Sequence, residues 1–187
     1  MEKVGLRLVV VFVTLSLVSL RLYPPLSVFF GSAVLFTLFF FREPRRVVGE
    51  GIVSPSDGRI IRVNGRRLEI FMGLLDSHVC LSPCDGVVER VVSLRGGFAP
   101  AFAEKGNARK IIFIRNKDGL FRVELIAGFF ARRILCYVRA GERIEKGRKI
   151  GMIVFGSKTV VEIPEGYKFV KKRGEKVKAG ETLAVKE

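Results

Sequence analysis

The sequence repeats itself. Ser54–Val63 reads SPSDGRIIRV and Ser82–Val91 reads SPCDGVVERV, both of the form S-P-x-D-G-x-[IV]-x-R-V. A second pair follows, GERIEKG at Gly141–Gly147 and GEKVKAG at Gly174–Gly180. Asp-Gly pairs make tight turns, because glycine takes a positive φ freely and aspartate bonds to its own turn; the Gly-Glu-x-[IV]-x-x-Gly units read as hairpin corners. From residue 47 onward the helical apolar period is gone, and short Val/Ile-rich runs alternate with glycine-containing turns. The pattern predicts a mainly β domain built as a small duplicated β-sandwich.

Its hairpins resemble those of lipoyl- and biotinyl-type sandwiches, in which two related halves pack face to face. One amphipathic helix is expected to interrupt the strands near Ala99–Ala103. Ahead of the β region stand two uncharged apolar runs, LVVVFVTLSLVSL at Leu8–Leu20 and LSVFFGSAVLFTLFFF at Leu26–Phe41, separated by Pro24-Pro25. Each is shorter than the ~20 residues that span a bilayer, although the first approaches that length if counted from Leu6 to Tyr23 with Arg7 and Arg21 snorkelling. Two short helices broken at the prolines give a hydrophobic helical hairpin over residues 1–41, and the remaining domain over 42–187. Lys3 and Arg7 precede the hairpin and Arg42, Arg45 and Arg46 follow it, which predicts a cell-membrane protein with both ends on the cytoplasmic side. A signal peptide would show one apolar core and then polar sequence, whereas here a second apolar run follows at once.

Residues 1–41 carry +2 of the net charge of +15, so +13 belongs to the β region. Such a surface fits an anionic partner, nucleic acid or membrane phosphate, and charge alone does not choose between them. Glutamine is absent and Lys, Arg and Glu abound, a thermophile-like bias. Cys80 and Cys84 are spaced C-x3-C and Cys136 stands apart; this suits neither a zinc site nor a disulfide framework and predicts buried, reduced thiols and no bound metal.

His78 is the sole histidine, with Asp76 two residues ahead of it. On an extended segment both side chains would share a face. A lone histidine is commonly structural, and Asp57 and Asp85 are first of all turn formers. AEKGNARK (Ala103–Lys110) and AGFFARRI (Ala127–Ile134) bring Lys105, Arg109, Arg132 and Arg133 near glycines, forming either a phosphate-binding wall or a solvated basic face. No nucleotide-binding glycine motif is present. The stretch VFGSKTVVEIP, taken alone, reads Gly156-Ser157 as a strand-edge turn.

In order along the chain, FFREPRR (Phe40–Arg46), VSPSDGRI (Val53–Ile60), IFMGLLDSHV (Ile70–Val79), SPCDGVV (Ser82–Val88), AEKGNAR (Ala103–Arg109), IAGFFARRI (Ile126–Ile134), GERIEKGRKIGMIVFGS (Gly141–Ser157) and VKAGET (Val177–Thr182) closely resemble the phosphatidylserine decarboxylase family in its short form, which includes archaetidylserine decarboxylases. The resemblance implies a proenzyme that cuts itself at Gly156-Ser157. Ser157 Oγ would attack the Gly156 carbonyl to give an ester. Elimination would then release a β chain ending at Gly156 and leave, after hydrolysis and loss of ammonia, a pyruvoyl group at the head of an α chain over 157–187, the two chains staying together as a heterodimer. That group, with neither metal nor pyridoxal phosphate, would form a Schiff base with the amine of a phosphatidylserine or archaetidylserine lipid and act as electron sink as carbon dioxide leaves. By similarity His78 is the base, oriented by Asp57 in an Asp-His-Ser arrangement, with Asp76 a secondary candidate; Lys105, Arg109, Arg132 and Arg133 would hold the lipid phosphate.

One departure stands out. Family members commonly have His-Val-Asn-Arg where this chain has His78-Val79-Cys80-Leu81, so a polar and a cationic contact are missing. Two other classes compete with the enzyme. A non-catalytic, membrane-anchored β domain binding anionic lipid accounts for the hairpin and charge but needs neither Gly156-Ser157 nor His78. A nucleic-acid-binding module accounts for the charge alone, and the hairpin and the lack of Trp count against it.

Overall fold

The computed structural model describes residues 3–96, 106–128, 134–154 and 157–187. The helix expected over Ala99–Ala103 lies outside them. The chain divides into two compact units, Met1–Pro44 and Arg45–Glu187.

The first unit is a helical hairpin of α1 (Lys3–Leu22) and α2 (Pro24–Phe40). The prolines occupy the first helical positions of α2, where a missing N–H costs nothing, and Tyr23 breaks the run with extended φ/ψ. Ser16 Oγ donates to the Ser27 carbonyl at 3.0 Å and Phe12 stacks on Phe30 across the pair. At 1.5 Å per residue, α1 is about 30 Å long, apolar and long enough to cross a membrane, whereas α2 reaches about 25 Å. Leu17, Leu22, Val28, Phe29 and Leu35 all turn outward on this unit.

The second unit is mainly β, as the sequence predicts. Its strands are β1 (Ile52–Val53), β2 (Gly58–Asn64), β3 (Arg67–Met72), β4 (Val79–Leu81), β5 (Gly86–Leu94), β6 (Arg109–Asn116), β7 (Gly119–Ala127), β8 (Ile134–Cys136), β9 (Arg143–Ile144), β10 (Lys149–Ile153), β11 (Ser157–Glu162), β12 (Tyr167–Phe169), β13 (Lys176–Val177) and β14 (Thr182–Lys186). An eight-stranded antiparallel sheet runs β13-β2-β3-β11-β7-β6-β5-β9, beside two three-stranded sheets, β1-β14-β12 and β4-β10-β8. All three share one core, with Ile52 and Ala184 from one small sheet, Cys80, Ile150 and Ile153 from the other, and Ile112, Phe121 and Leu125 from the large one.

These orders are palindromes of each other's halves, so the duplication read in the sequence extends through the domain. β1–β3 with β11–β14 form one half, and the contiguous run β4–β10 forms the other. The SPxDG turns do the same work in both. Ser54 Oγ donates to the Ser56 carbonyl and Ser82 Oγ to that of Cys84, each at 2.7 Å. Asp57 Oδ1 accepts the Ala179 amide and Asp85 Oδ1 the Lys146 amide, each at 2.8 Å. Gly180 N donates to the Ser54 carbonyl and Gly147 N to that of Ser82, each at 2.9 Å. Even the register irregularity recurs, between Ile60 and Arg62 in one hairpin and between Val88 and Arg90 in the other. The halves interlock where Val53 N donates to the Pro83 carbonyl and Leu81 N to that of Pro55. Gly58 is obligatory at its turn: its φ is +147° and a Cβ would collide with the Phe71 carbonyl.

Candidate active site

Three strand ends meet where the sequence places its chemistry. β11 begins at Ser157, paired with Met72 at the end of β3 and with Ala127 at the end of β7. β10, which leads to Ser157, ends at Ile153, whose amide donates to the His78 carbonyl at 3.2 Å. From Ile153 to Ser157 the chain spans at most about 14 Å, so the start of β11 and His78 lie in one neighbourhood. Gly156 and the Ser157 side chain fall outside the described residues.

His78 is fully buried, and its Nδ1 lies 2.9 Å from the Asp76 carbonyl. A carbonyl only accepts, so Nδ1 carries a proton, and in the neutral form of the ring the lone pair lies on Nε2. The extended segment expected through Asp76 and His78 is broken at Asp76, which closes a turn over Gly73–Asp76. Asp76 N donates to the Gly73 carbonyl at 3.1 Å, and the Asp76 carboxylate accepts the Gly73 amide at 2.8 Å. The reason is local: glycine and aspartate three apart close a turn with backbone and side-chain bonds together, which outcompetes a continued strand. Asp76 therefore orients His78 through its main chain, and its carboxylate is engaged in shaping the turn.

Asp57 is 7% exposed. Besides the Ala179 bond, its Oδ2 accepts the Ser77 amide at 3.4 Å and pairs with Arg46 Nη2. Asp57 thus grips the peptide that precedes His78. The neighbouring Ser56 hydroxyl bonds Thr159 Oγ1 at 2.6 Å, both groups fully buried, which fastens the first SPxDG turn to β11 two residues past Ser157. Burial first, and then the charge of Asp57, push the Cys80 thiol well above the ordinary thiol range. All three cysteines are free; Cys80 and Cys84 are buried and Cys136 is half-buried.

Of the basic residues read as a phosphate wall, Lys105, Arg132 and Arg133 lie outside the described residues. Arg109 opens β6 and faces the Glu124 carboxylate at 3.8 Å. It lines a cleft of about 250 Å³ with Arg62, Arg67, Glu69, Ile126 and Lys158. Lys158 Nζ donates to Glu69 Oε2 at 2.9 Å with both side chains 5% exposed, and Arg67 bridges Glu69, Glu124 and Glu162. Burial works against the Glu69 carboxylate's charge, but the hydrogen bond and charge of Lys158, then Arg67, hold it below the usual glutamate range. Arg109 belongs to this ion network, on strand positions out of phase with Ser157 and Thr159.

Sequence reasoning missed Arg46, read only as a membrane-flanking charge, and the Ser56–Thr159 bond. No local pattern tells which carboxylate an arginine eleven residues away will meet.

The described site thus joins the first residue of a doubly paired strand, a buried histidine and an arginine-paired aspartate in one neighbourhood. The sequence profile of phosphatidylserine decarboxylase matches residues 34–185. A protein of Archaeoglobus fulgidus named "Putative archaetidylserine decarboxylase proenzyme" is 48% identical over 187 residues, covering 100% of this chain and 96% of that protein. One of the same name from Methanococcoides burtonii is 38% identical over 81% of this chain and 75% of its own. A "Phosphatidylserine decarboxylase proenzyme" of Syntrophus aciditrophicus is also 38% identical, over 81% and 79%. The chain belongs to the phosphatidylserine decarboxylase family.

Proposed function

We propose that the chain is a proenzyme that cleaves itself at Gly156-Ser157 and then decarboxylates a serine-headed phospholipid, archaetidylserine in preference to its acyl counterpart, to the ethanolamine lipid. The observation that carries this reading is the meeting of buried His78 with the strand end that leads into Ser157. With Nδ1 protonated against Asp76, His78 Nε2 is the lone pair that takes the Ser157 hydroxyl proton as Oγ attacks the Gly156 carbonyl. The amide nitrogen leaves that carbon, regains a proton, and an ester links the two residues. Loss of the Ser157 α-proton expels the Gly156 carboxylate; the resulting dehydroalanine tautomerises to an imine, and water replaces nitrogen as ammonia. The pyruvoyl group so formed supplies a carbonyl for the substrate amine and a sink for the electrons released with carbon dioxide.

The new chain end suits that group. β11 is hydrogen-bonded along both edges, from Ser157 to Glu162, so cutting the bond before it leaves the position of residue 157 held by β3 and β7. β14 pairs with β1 and carries β12 on its other edge, and β13 pairs with β2, which supports a heterodimer that stays assembled after cleavage. Asp57 holds the Ser77 peptide, and with it the segment bearing His78. His78 then serves a second time, returning a proton to the substrate carbon after decarboxylation. Lys105, Arg132 and Arg133 remain the residues proposed for the lipid phosphate, with Arg109 at the edge of that group. The helical hairpin would hold the enzyme at the cytoplasmic face of the cell membrane, where a two-chain lipid is met. Among the relatives the archaetidylserine name belongs to the 48% identical protein, which favours ether-linked tails.

The mass of the purified protein under denaturing conditions tests the reading. Fragments of residues 1–156 and 157–187 are expected, the smaller blocked to Edman sequencing, together with carbon dioxide release from archaetidylserine vesicles. Ser157→Ala should stay intact and inactive. An uncut native chain with no decarboxylase activity would refute the proposal and leave a lipid-binding β domain.

A further inference from the structure

We propose that Arg46 is a positioning residue for the reaction: its guanidinium fixes the Asp57 carboxylate, and through it the peptide that carries His78. The proposal rests on the role given to Asp57 above. Arg46 Nη2 pairs with Asp57 Oδ2 at side-chain exposures of 19% and 10%, so the pair is largely removed from water. In such surroundings a charge-assisted hydrogen bond is directional and strong, and a guanidinium is the cation that does not lose its proton.

The duplication supplies an internal control. Asp85 makes the same turn, accepts the equivalent Lys146 amide at the same 2.8 Å, and lies exposed with no cation paired to it among the described residues. The SPxDG turn therefore forms without an arginine. At Asp57 the arginine adds something the turn does not require, and it adds it at the half that holds Ser157. Its effect is geometric. With Oδ1 committed to Ala179 and Oδ2 to both Arg46 and Ser77, the carboxylate plane has little freedom to swing. Without Arg46, the long 3.4 Å bond to Ser77 is all that is left on Oδ2 to hold the segment before His78.

The segment carrying Arg46 is itself strapped down. Gly49 N donates to the Gly180 carbonyl at 2.9 Å, Thr182 Oγ1 to that of Glu50 at 3.0 Å, and Lys146 Nζ to that of Gly49 at 2.8 Å. The corner that supplies the Ala179 amide is thus the same corner that anchors the strap, and both Asp57 oxygens are set from one place.

The test compares Arg46→Met, Arg46→Ala, Arg46→Lys and Asp57→Asn in the full-length protein, following cleavage by mass and, for cleaved protein, kcat and KM on archaetidylserine vesicles. Arg46→Met fills the same volume without charge, and thermal unfolding by circular dichroism confirms that it folds. Self-cleavage in Arg46→Met and Arg46→Ala is expected to slow about 10- to 100-fold, with kcat reduced and KM unchanged. Arg46→Lys should recover part of the rate, and millimolar methylguanidinium should speed Arg46→Ala but not Asp57→Asn. If Arg46→Ala does not fold, Arg46→Met decides. A folded Arg46→Met that cleaves and turns over at the native rate while Asp57→Asn does not would overturn the proposal and leave the role of Asp57 intact. Native cleavage in Asp57→Asn would remove that underlying role, and the proposal with it.

Discussion

The two halves of the β domain are built alike and used differently. Register equates Ile70 with Ile114 and, across the next strand, Thr159 with Phe121, so the place of Ser157 is taken in the other half by Gly119. Around that second place Asp85, Asn116, Lys117 and Asp118 line an open cleft of about 1000 Å³. The first place instead holds a buried histidine, a buried aspartate and an arginine. Turn, corner and register are shared scaffold; the difference is which side chains the scaffold buries. Ser157 and Asp57 come from one half and His78 from the other, so the site needs the interlock of both.

The sharpest way to break the comparison is to make the same change in each half. Asp57→Asn should slow self-cleavage at least about 100-fold, because the amide does not match the Arg46 charge and has one acceptor oxygen, so that an NH2 faces either Ala179 or the pair of donors from Arg46 and Ser77. Asp85→Asn keeps its Oδ1 acceptor for Lys146 and should leave cleavage unchanged, with stability altered by about 0.5 kcal/mol. Mass spectrometry of freshly expressed protein and a urea titration read both. Equal loss of cleavage in the two variants would mean that Asp57 acts only as a turn former.

What was legible in the sequence was what is local. Asp57-Gly58 and Asp85-Gly86 announce turns, Gly174–Gly180 and Gly141–Gly147 announce corners, and Pro24-Pro25 announces the break between helices. Which turn meets which corner was not legible, since Asp57 pairs with the distant Ala179 and leaves Lys146 to Asp85; either corner offers an equivalent amide. Gly156-Ser157 looked like a turn until eight ordered motifs placed it in a family. The bond between Gly73 and Asp76 was hidden because its residues read equally well as strand, and Arg46 because its partner is fixed only by the tertiary fold.

The outer side of the central strands carries a second contrast, smaller in effect. Lys158 and Glu69 form a buried pair where the other half places Leu120 and Phe113, with Arg90 stacked over Phe113 at 4.1 Å. Lys158→Leu alone leaves Glu69 buried without the lysine that pairs with it out of water and should cost about 3 kcal/mol; Lys158→Leu with Glu69→Phe copies the other half and should come close to neutral. The Glu69 carboxylate is held below its ordinary value in the folded state, so its contribution is present above pH ~4.3 and is lost as pH falls through the depressed folded value. Acid unfolding of the double variant should lack that loss, which urea titrations at neutral and acid pH would reveal.

The smallest expected difference is one of local opening, and the cysteines report it within the β4–β10 half, Cys80 two residues past His78 and Cys84 in the second SPxDG turn. Burial, then Asp57, raise the Cys80 thiol; burial, then Asp85 and Asp118, push Cys84 up to about 12. A raised thiol holds less thiolate at any given pH, and thiolate is what alkylates. Iodoacetamide near neutral pH should therefore modify half-buried Cys136 first, then Cys84, which is 3% exposed, and Cys80 last, which is fully enclosed. Peptide mapping over time gives the three rates. Cys84 stands in the open half at the position where the other half has Ser56, whose hydroxyl is tied to Thr159, so its local opening should need fewer broken bonds. If Cys80 reacts as fast as Cys84, the strand that follows His78 is no more tightly closed than the second SPxDG turn, and the site's rigidity comes from the few bonds around Asp57 rather than from the strands that flank it.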